Sequence, residues 1–176
     1  IKAAGVVDHP LGGTYKSGWN LAEEFVNMYM GYDGAFFNDD LTASINNANG
    51  VAALEMMKSL TAYMDPEYLV SDSTYVQQQF QQGKIAMANL WASRAAAMNN
   101  ADESQVVGLV TMSSAPTVAG GSTPASTLWW DGIVVASNIS DAAADNAFRV
   151  AMEGLDKEMV QANNGAAVWL IDGYVP

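Results

Sequence analysis

The stretch FQQGKIAMANLW, from Phe80 to Trp91, marks a change from one kind of secondary structure to another. A helix with a serine cap is predicted over Ser73 to Gln82, and it ends at Gly83 because glycine commonly follows the last helical residue. In the residues that follow, Ile85 and Met87 alternate with other residues, and this period of two is typical of a strand. A helix that leads directly into a strand favours an α/β domain built of packed layers.

Two further helices are predicted before this stretch. The helix from Asn20 to Met30 has its N-cap in its first residue, Glu23 three residues later as in a capping box, and Gly31 at its end. The helix from Asn47 to Met64 has apolar residues at helical spacing, and a proline follows soon after it. Neighbouring side chains on a helix diverge by about 100°. With Glu23 in the capping box, Glu24 points in another direction and is expected to face solvent.

After this stretch the chain again alternates between helices and strands. An interval rich in Pro, Gly, Ser and Thr, without periodicity, predicts a surface loop. The predicted elements are a short helix directly after Trp91, strands over Gln105 to Met112 and Trp130 to Ala136, a loop over Ser113 to Thr127, and helices over Asp141 to Gly154 and Lys157 to Asn163. The residues expected mostly inside this domain are Phe80, Ile85, Met87, Val107, Leu109 and Val134.

The composition narrows the class of protein. The 176 residues carry 7 basic and 19 acidic side chains, for a net charge of −12. Because such a surface repels phosphate backbones and anionic lipid, nucleic acid and membrane surfaces are poor partners. The chain has no cysteine, which excludes disulfides, thiolate metal sites and cysteine nucleophiles. Its length suits one domain with its own core, and no apolar run is long enough to span a bilayer.

Signatures of catalysis are missing from the sequence. The single histidine, His9, lies in the turn-like segment DHPLGG, and no triad, phosphate-loop or zinc motif occurs. Three aspartates between positions 33 and 40 lack the spacing of a calcium loop and are interpreted as solvated turn residues. A glycosidase needs two carboxylates that face each other, whereas Glu23 and Glu24 diverge on one helix. No enzyme activity, cofactor or metal site is predicted.

The placement of aromatic residues is the most unusual feature of the sequence. Several lie at the ends of elements beside glycine, asparagine or aspartate, whereas tryptophans that only fill a core usually lie within elements. An aromatic rim with amides and carboxylates suits a sugar, whose C–H faces stack on rings and whose hydroxyls bond to polar groups. The alternative, that these rings only pack the interior, stays open. The residues are Tyr15, Trp19, Trp91, Trp129, Trp130 and Trp169.

Six segments occur in a distinctive order: GWNLAEEFVNMYMGYDGAFFNDD, NNANGVAALEMMKSL, FQQGKIAMANLW, WWDGIVVAS, AFRVAMEGL and DGYVP. This order resembles the extracellular solute-binding proteins of ABC sugar importers, the relatives of maltose-binding protein. The most specific piece is the F-x-x-G-K-x-A-M run from Phe80 to Met87, followed closely by a tryptophan. The resemblance spans nearly the whole chain.

The resemblance implies a receptor with two α/β lobes joined by a hinge. It would bind a sugar or oligosaccharide between the lobes, close, and present the ligand to the permease subunits of an ABC importer in the membrane. Residues 1–176 would form a single α/β lobe with a central sheet flanked by helices, most of the second lobe, with the first lobe absent. The protein would be periplasmic or extracellular, with a lipid anchor as an option in the full-length receptor.

The resemblance also implies a set of ligand-binding residues. They are Tyr15 and Trp19 after the hinge, Asn89 and Trp91 in the loop after the A-M strand, and Trp130, Asp131 and Gly132 at the start of the next strand. Many relatives have a loop one residue longer before the tryptophan, and this difference affects the orientation of Trp91. Because successive strand side chains point to opposite faces, Trp130 is assigned to the ligand and Trp129 to packing. Trp169 is assigned to the core, and packing of Tyr15 and Trp19 against the Asn20 helix is the alternative to ligand contact.

Three other functions stay open. The nearest is a binding protein for another small solute, such as an oligopeptide or a polyamine. A carbohydrate-active enzyme domain would need the facing pair of carboxylates that the sequence does not offer. A pure interaction module would leave the aromatic residues buried or on a flat patch.

Overall fold

The structure is a computed structural model, and it describes residues 1–118, 121–129 and 132–162, without the side chains of residues 160–162. The chain forms two compact units, Ile1–Thr127 and Leu128–Pro176. The first unit holds a small parallel sheet and three α-helices, and the described part of the second holds two further α-helices.

The first unit has helices on either side of its two strands in chain order. The predicted helices that begin near Asn47, near Ser73 and after Trp91 are confirmed, the last one as a 3₁₀ helix. The elements are β1 (Leu11–Gly12), α1 (Trp19–Gly31), α2 (Ala48–Leu60), α3 (Ser73–Gln81) and β2 (Met87–Ala88), with 3₁₀ helices at Lys2–Ala4, Thr61–Tyr63, Tyr68–Val70 and Ala92–Asn99.

The sheet of the first unit pairs β1 and β2 in parallel, with Leu11 opposite Met87 and Gly12 opposite Ala88. Glycine is required at position 12 because of the close approach of neighbouring side chains. A Cβ on Gly12 would lie 2.5 Å from Cδ1 of Ile85 and 2.8 Å from Cγ1 of Val76. This fold is α/β, as predicted, but it is rich in helix, and the sheet among the described residues has two strands.

The core of the first unit lies where the segment after β1 meets α1 and α2. Its buried centre consists of Tyr15, Met57 and Met64. Apolar residues on one face of α1 pack against this centre, which explains why α1 has an apolar stripe. The partly buried residues around it are Leu11, Leu21, Phe25, Met28, Leu60 and Tyr68.

Side-chain caps fix the starts of α2 and α3. Oδ1 of Asn47 accepts a hydrogen bond from the Gly50 backbone N–H at 2.9 Å, as the N-cap of α2. The cap of α3 is Asp72 rather than the predicted Ser73. Its carboxylate accepts from the backbone N–H groups two and three residues ahead, at 3.1 and 3.0 Å.

The start of α1 differs from its prediction. The helix begins at Trp19, and the N-cap position belongs to Gly18, whose φ of 103° is one that glycine adopts readily. No side-chain cap bond forms there, and the predicted capping box of Asn20 and Glu23 is wrong. Glu23 therefore lies more than a turn inside the helix, where its side chain has a different environment from that of a capping residue.

Two predicted strands are not formed by the described residues. The segment 105–112 makes turns instead, because Gly108 adopts a φ of 71° and Leu109 N donates to Val106 O at 2.9 Å. Residues 132–136 are also not a strand, and residues 130 and 131 lie outside the described residues.

Only some of the six residues predicted to lie inside the domain are buried. Ile85 is buried at 6% exposure and Phe80 is half-buried, whereas the rest of the set is exposed and the prediction is wrong for it. The exposed members are Met87, Val107, Leu109 and Val134.

The second unit confirms two predicted helices. The first of them, α4, spans Asp141–Gly154, and Ser140 caps it by accepting a hydrogen bond from Ala143 N at 3.3 Å. The next helix, α5, spans Lys157–Ala162, and the predicted end at position 163 lies outside the described residues.

Candidate functional site

The carboxyl ends of β1 and β2 lie at the same edge of the sheet because the two strands are parallel. The segment that leaves β1 there is Gly13–Trp19, and the one that leaves β2 is Asn89–Trp91. We call these two segments the carboxyl edge. In open α/β sheets, ligands bind in the crevice outside the carboxyl ends of the strands. The fold thus brings together the two segments that hold four of the predicted site residues.

The segment after β1 is held firmly in place. The backbone N and Oγ1 of Thr14 both donate to Oε1 of Glu24 at 2.8 Å. Lys16 N donates to Ser71 O at 2.9 Å, and Lys16 Nζ forms an ion pair with Asp72 at 2.9 Å. The segment therefore starts α1 from a fixed position.

The carboxylates in these contacts have shifted pKa values. Burial raises the pKa of Glu24, although the two hydrogen bonds from Thr14 act against this shift. The hydrogen bond from Lys16 is the main cause that lowers the pKa of Asp72, with backbone donors adding to it. The expectation that Glu24 faces solvent is wrong, because its side chain turns toward Thr14.

Tyr15 lies in the core at 5% exposure. Its hydroxyl donates to Met57 O at 3.1 Å, and its ring meets Tyr68 edge to face with centroids 6.1 Å apart. Burial, followed by the charge of Glu24, raises the pKa of the Tyr15 hydroxyl above its ordinary value. This is the packing alternative, and contact of Tyr15 with a ligand stays a prediction.

Trp19 and Trp91 have more accessible positions than Tyr15. Trp19 is the first residue of α1 and is 61% exposed, whereas Trp91 is half-buried and directly precedes the 3₁₀ helix Ala92–Asn99. Nδ2 of Asn89 donates to Ala125 O at 3.2 Å, which leaves the Asn89 side-chain oxygen as an acceptor. The carboxyl edge thus offers aromatic surface and an amide in neighbouring segments.

Two polar residues on α1, Glu23 and Asn27, have buried atoms that are unpaired among the described residues, and they were given no ligand role from the sequence. Oε2 of Glu23 and Oδ1 of Asn27 are buried, and neither has a hydrogen-bond partner in the described part of the chain. Burial raises the pKa of Glu23. The four-residue spacing, which places both side chains on one helix face, is the sequence signal that could have found them.

The remaining predicted site residues belong to the second unit. Trp130 and Asp131 lie outside the described residues, as does Trp169. Gly132 is exposed, and Trp129 is 43% exposed. The assignment of Trp130 to the ligand and Trp129 to packing stays a prediction.

A surface cavity of about 310 Å³ lies at the opposite edge of the sheet, before the strands begin. It is lined by Val7, Asp8, His9, Asp65, Gln79, Lys84 and Ile85. Within the ranges that the structure describes, no group of three or more His, Cys, Asp or Glu side chains could hold a metal ion. No described helix is long and apolar enough to cross a membrane.

Comparison with protein families gives one match over nearly the whole chain. Residues 3–176 match the sequence model of a family described as bacterial extracellular solute-binding protein. A comparison with curated proteins finds no match.

Solved structures of binding proteins are similar in fold. An ABC transporter solute-binding protein from Agrobacterium radiobacter, in complex with ribitol, matches 93% of this chain with a TM-score of 0.81 at 19% identity. The maltose-bound MalE3 of T. maritima matches 94% of the chain with a TM-score of 0.74 at 16% identity. An ABC transporter solute-binding protein from Agrobacterium vitis, with bound D-mannitol, matches 96% with a TM-score of 0.72 at 16% identity. The chain spans 41%, 42% and 40% of their respective lengths.

Proposed function

Because the chain belongs to the family of bacterial extracellular solute-binding proteins, we propose that it is the ligand-binding lobe of a receptor for a sugar, oligosaccharide or sugar alcohol. The observation that carries this proposal is the carboxyl edge. There the parallel pairing of β1 and β2 means that the segments Gly13–Trp19 and Asn89–Trp91 start at neighbouring strand ends, which supports a shared ligand site.

The chemistry of the carboxyl edge suits a polyhydroxylated ligand. Indole rings offer a flat apolar face for the C–H groups of a sugar, and the Asn89 oxygen can accept a hydrogen bond from a hydroxyl. The relatives of known structure support this ligand class, because they contain ribitol, maltose and D-mannitol. The resemblance also supports ligand contact by Trp130, Asp131 and Gly132, which we propose independently of the carboxyl edge.

The proposed mechanism involves no bond chemistry in the ligand. The chain spans about two fifths of the length of its structural relatives, and we propose that residues 1–176 supply one side of a cleft whose other side is a second lobe. Ligand binding would shift an equilibrium from the open to the closed receptor. The closed form would then dock on the permease subunits of an ABC importer outside the cell, with or without a lipid anchor.

A titration of the purified chain tests the ligand class. Ribitol, D-mannitol and maltose are added while the ¹⁵N-labelled chain is followed by NMR, because a single lobe buries only part of a ligand and we expect dissociation constants of about 1 mM or weaker. We expect amide shifts at Asn89–Trp91 and near Trp19, and maltose should stay intact.

Two variants test whether binding depends on an aromatic ring in the carboxyl edge or on the loss of any exposed aromatic ring. Trp91→Ala should weaken binding, whereas Tyr63→Ala, which removes an aromatic ring that is 48% exposed outside the carboxyl edge, should not. Shifts with a tripeptide or with spermidine but with none of the three polyols would favour the other solute classes. Release of glucose from maltose would favour an enzyme.

A further inference from the structure

The helix α1 has two different faces. Leu21, Phe25 and Met28 pack against the buried core. A second face carries residues at intervals of four, which lie above one another along a helix. We call this second set, which consists of Trp19, Glu23, Asn27 and Gly31, the polar stripe.

The middle of the polar stripe contains two acceptors without donors. Oε2 of Glu23 and Oδ1 of Asn27 are both buried, and no group in the described part of the chain donates to them. The neighbouring Glu24 is different, because it accepts two hydrogen bonds from Thr14. Unpaired buried acceptors are uncommon in folded proteins and destabilise them. A missing donor is therefore the feature to explain.

The polar stripe begins at the carboxyl edge, and its other end packs against a residue that Asn89 contacts. Trp19 is the last residue of the segment that leaves β1. At the other end, a Cβ on Gly31 would lie 3.0 Å from Cβ of Ala125 and 3.4 Å from Cγ2 of Val118. The carbonyl of the same Ala125 accepts the hydrogen bond from Asn89. The two unpaired acceptors thus lie on α1 between Trp19, at the carboxyl edge, and Gly31, which packs near the segment that Asn89 contacts.

We propose that the polar stripe is part of the ligand site, and that Glu23 and Asn27 accept hydrogen bonds from hydroxyl groups of the ligand. This inference rests on the proposed function. A neutral polyol brings several donors on adjacent carbons, and side chains one helical turn apart, with Cβ atoms about 5–6 Å from each other, are within reach of one such molecule. The Glu23 carboxylate would also repel anionic ligands, so the site selects neutral sugars and polyols over sugar acids and sugar phosphates.

The test combines binding with stability in variants of the whole chain. Glu23→Gln keeps the size of the side chain but removes its charge, and we expect the dissociation constant for D-mannitol to rise about tenfold or more. The melting temperature of the unliganded variant should stay the same or rise, because an unpaired buried carboxylate has been removed. Asn27→Ala should weaken binding in the same way. Glu55→Gln changes an exposed glutamate on α2 and should alter neither quantity.

The outcomes distinguish this inference from the proposed function. If the unsubstituted chain binds none of ribitol, D-mannitol and maltose, the proposed function fails. If it binds one of them and both variants bind equally well, the function stands and the polar stripe is not part of the site. Loss of binding together with a large loss of melting temperature would indicate a structural role for Glu23. Binding of D-gluconate as tight as that of D-mannitol would also contradict the proposed selectivity.

Discussion

Glu24 is a partly buried carboxylate whose Oε1 accepts hydrogen bonds from both N and Oγ1 of Thr14. Its pKa is raised because burial disfavours the charged form more than the two donors favour it. A carboxyl group with a raised pKa in the folded state binds its proton more tightly there than in the unfolded chain. Its contribution to stability is therefore largest at low pH, and it is lost as the pH rises from the ordinary glutamate value through the raised one.

The first prediction follows from this sign. Glu24→Gln cannot titrate but can still accept from Thr14, and its stability relative to the unsubstituted chain should increase as the pH rises from about 4 to about 7. Urea unfolding of both proteins at several pH values gives this difference and cancels the titration of the other carboxylates. Glu55→Gln, on the exposed face of α2, should show a flat difference. A difference for Glu24→Gln that is flat or falls with pH would contradict the assigned shift.

Tyr29 is fully buried, and its hydroxyl joins α1 to the segment before α2. The hydroxyl lies 2.8 Å from Ala35 O and 3.0 Å from Ser44 O, and it accepts from Nδ2 of Asn47 at 2.9 Å. Since Asn47 also caps α2, one phenol group links two helices and the loop between them.

The second prediction concerns this hydroxyl. Tyr29→Phe keeps the buried ring and removes a hydroxyl that takes part in three hydrogen bonds, so it should lower the free energy of unfolding by about 1–3 kcal/mol. Tyr63→Phe removes a hydroxyl from a side chain that is 48% exposed and should have little effect. Chemical denaturation of the two variants provides the measurement. Equal stability of the two variants would show that the Tyr29 hydrogen bonds contribute nothing net.

At the scale of elements, the pairing of β1 and β2 depends on the absence of a side chain at Gly12. Gly12→Ala would place a methyl group against Ile85 and Val76, and we expect it to destabilise the chain by about 1–3 kcal/mol through overpacking. Gly154→Ala is the matched control, because a Cβ there meets nothing within 4 Å, and it should change stability by about 1 kcal/mol or less. Thermal melts of both variants test this third prediction. It fails if Gly12→Ala has the same melting temperature as the unsubstituted chain.

Helices were more predictable from this sequence than strands because their signals are local. The apolar spacing of α2 and the bounds of α4 can each be read within about 15 residues. The strand predicted over 105–112 does not form because Gly108 adopts a φ of 71°, which is not an extended conformation and which the apolar composition of the segment does not reveal. Register and burial depend on residues distant in sequence, which explains the exposure of Met87.

The site residues came from the resemblance and not from local patterns. The resemblance to the solute-binding proteins pointed to Asn89 and Trp91, and in the structure their segment directly follows β2. Glu23 was predicted to belong to a capping box because it lies three residues after Asn20. The same spacing also fits two residues on one helix face, and no capping bond forms. Tyr15 is buried in the core although it lies just after the turn-like segment DHPLGG, where an exposed position was equally compatible with the sequence.

At the scale of the whole molecule, the chain is similar over nearly all of its length to structures that are much longer than it is. The chain matches 93–96% of its own length to structures of which it spans only 40–42%. The first unit has its own buried core, formed by Tyr15, Met57 and Met64. This core can keep the carboxyl edge in shape, as the proposed role of the chain as one side of a ligand cleft requires.

The last prediction compares this chain, which we propose to be one lobe, with the proposed complete receptor. A full small-molecule site buries about 70–90% of its ligand, whereas one lobe leaves much of that surface in water, so the complete receptor should bind the same polyol at least about 100-fold more tightly. Calorimetry of the complete receptor and NMR titration of the chain, with the same polyol, give the two dissociation constants. Trp91→Ala should weaken both by a similar factor, because we propose the stacking contact in both forms. Equal affinity of chain and receptor would mean that residues 1–176 already contain the complete site. If Trp91→Ala weakens binding in the receptor but not in the chain, Trp91 contacts the ligand only when the second lobe is present.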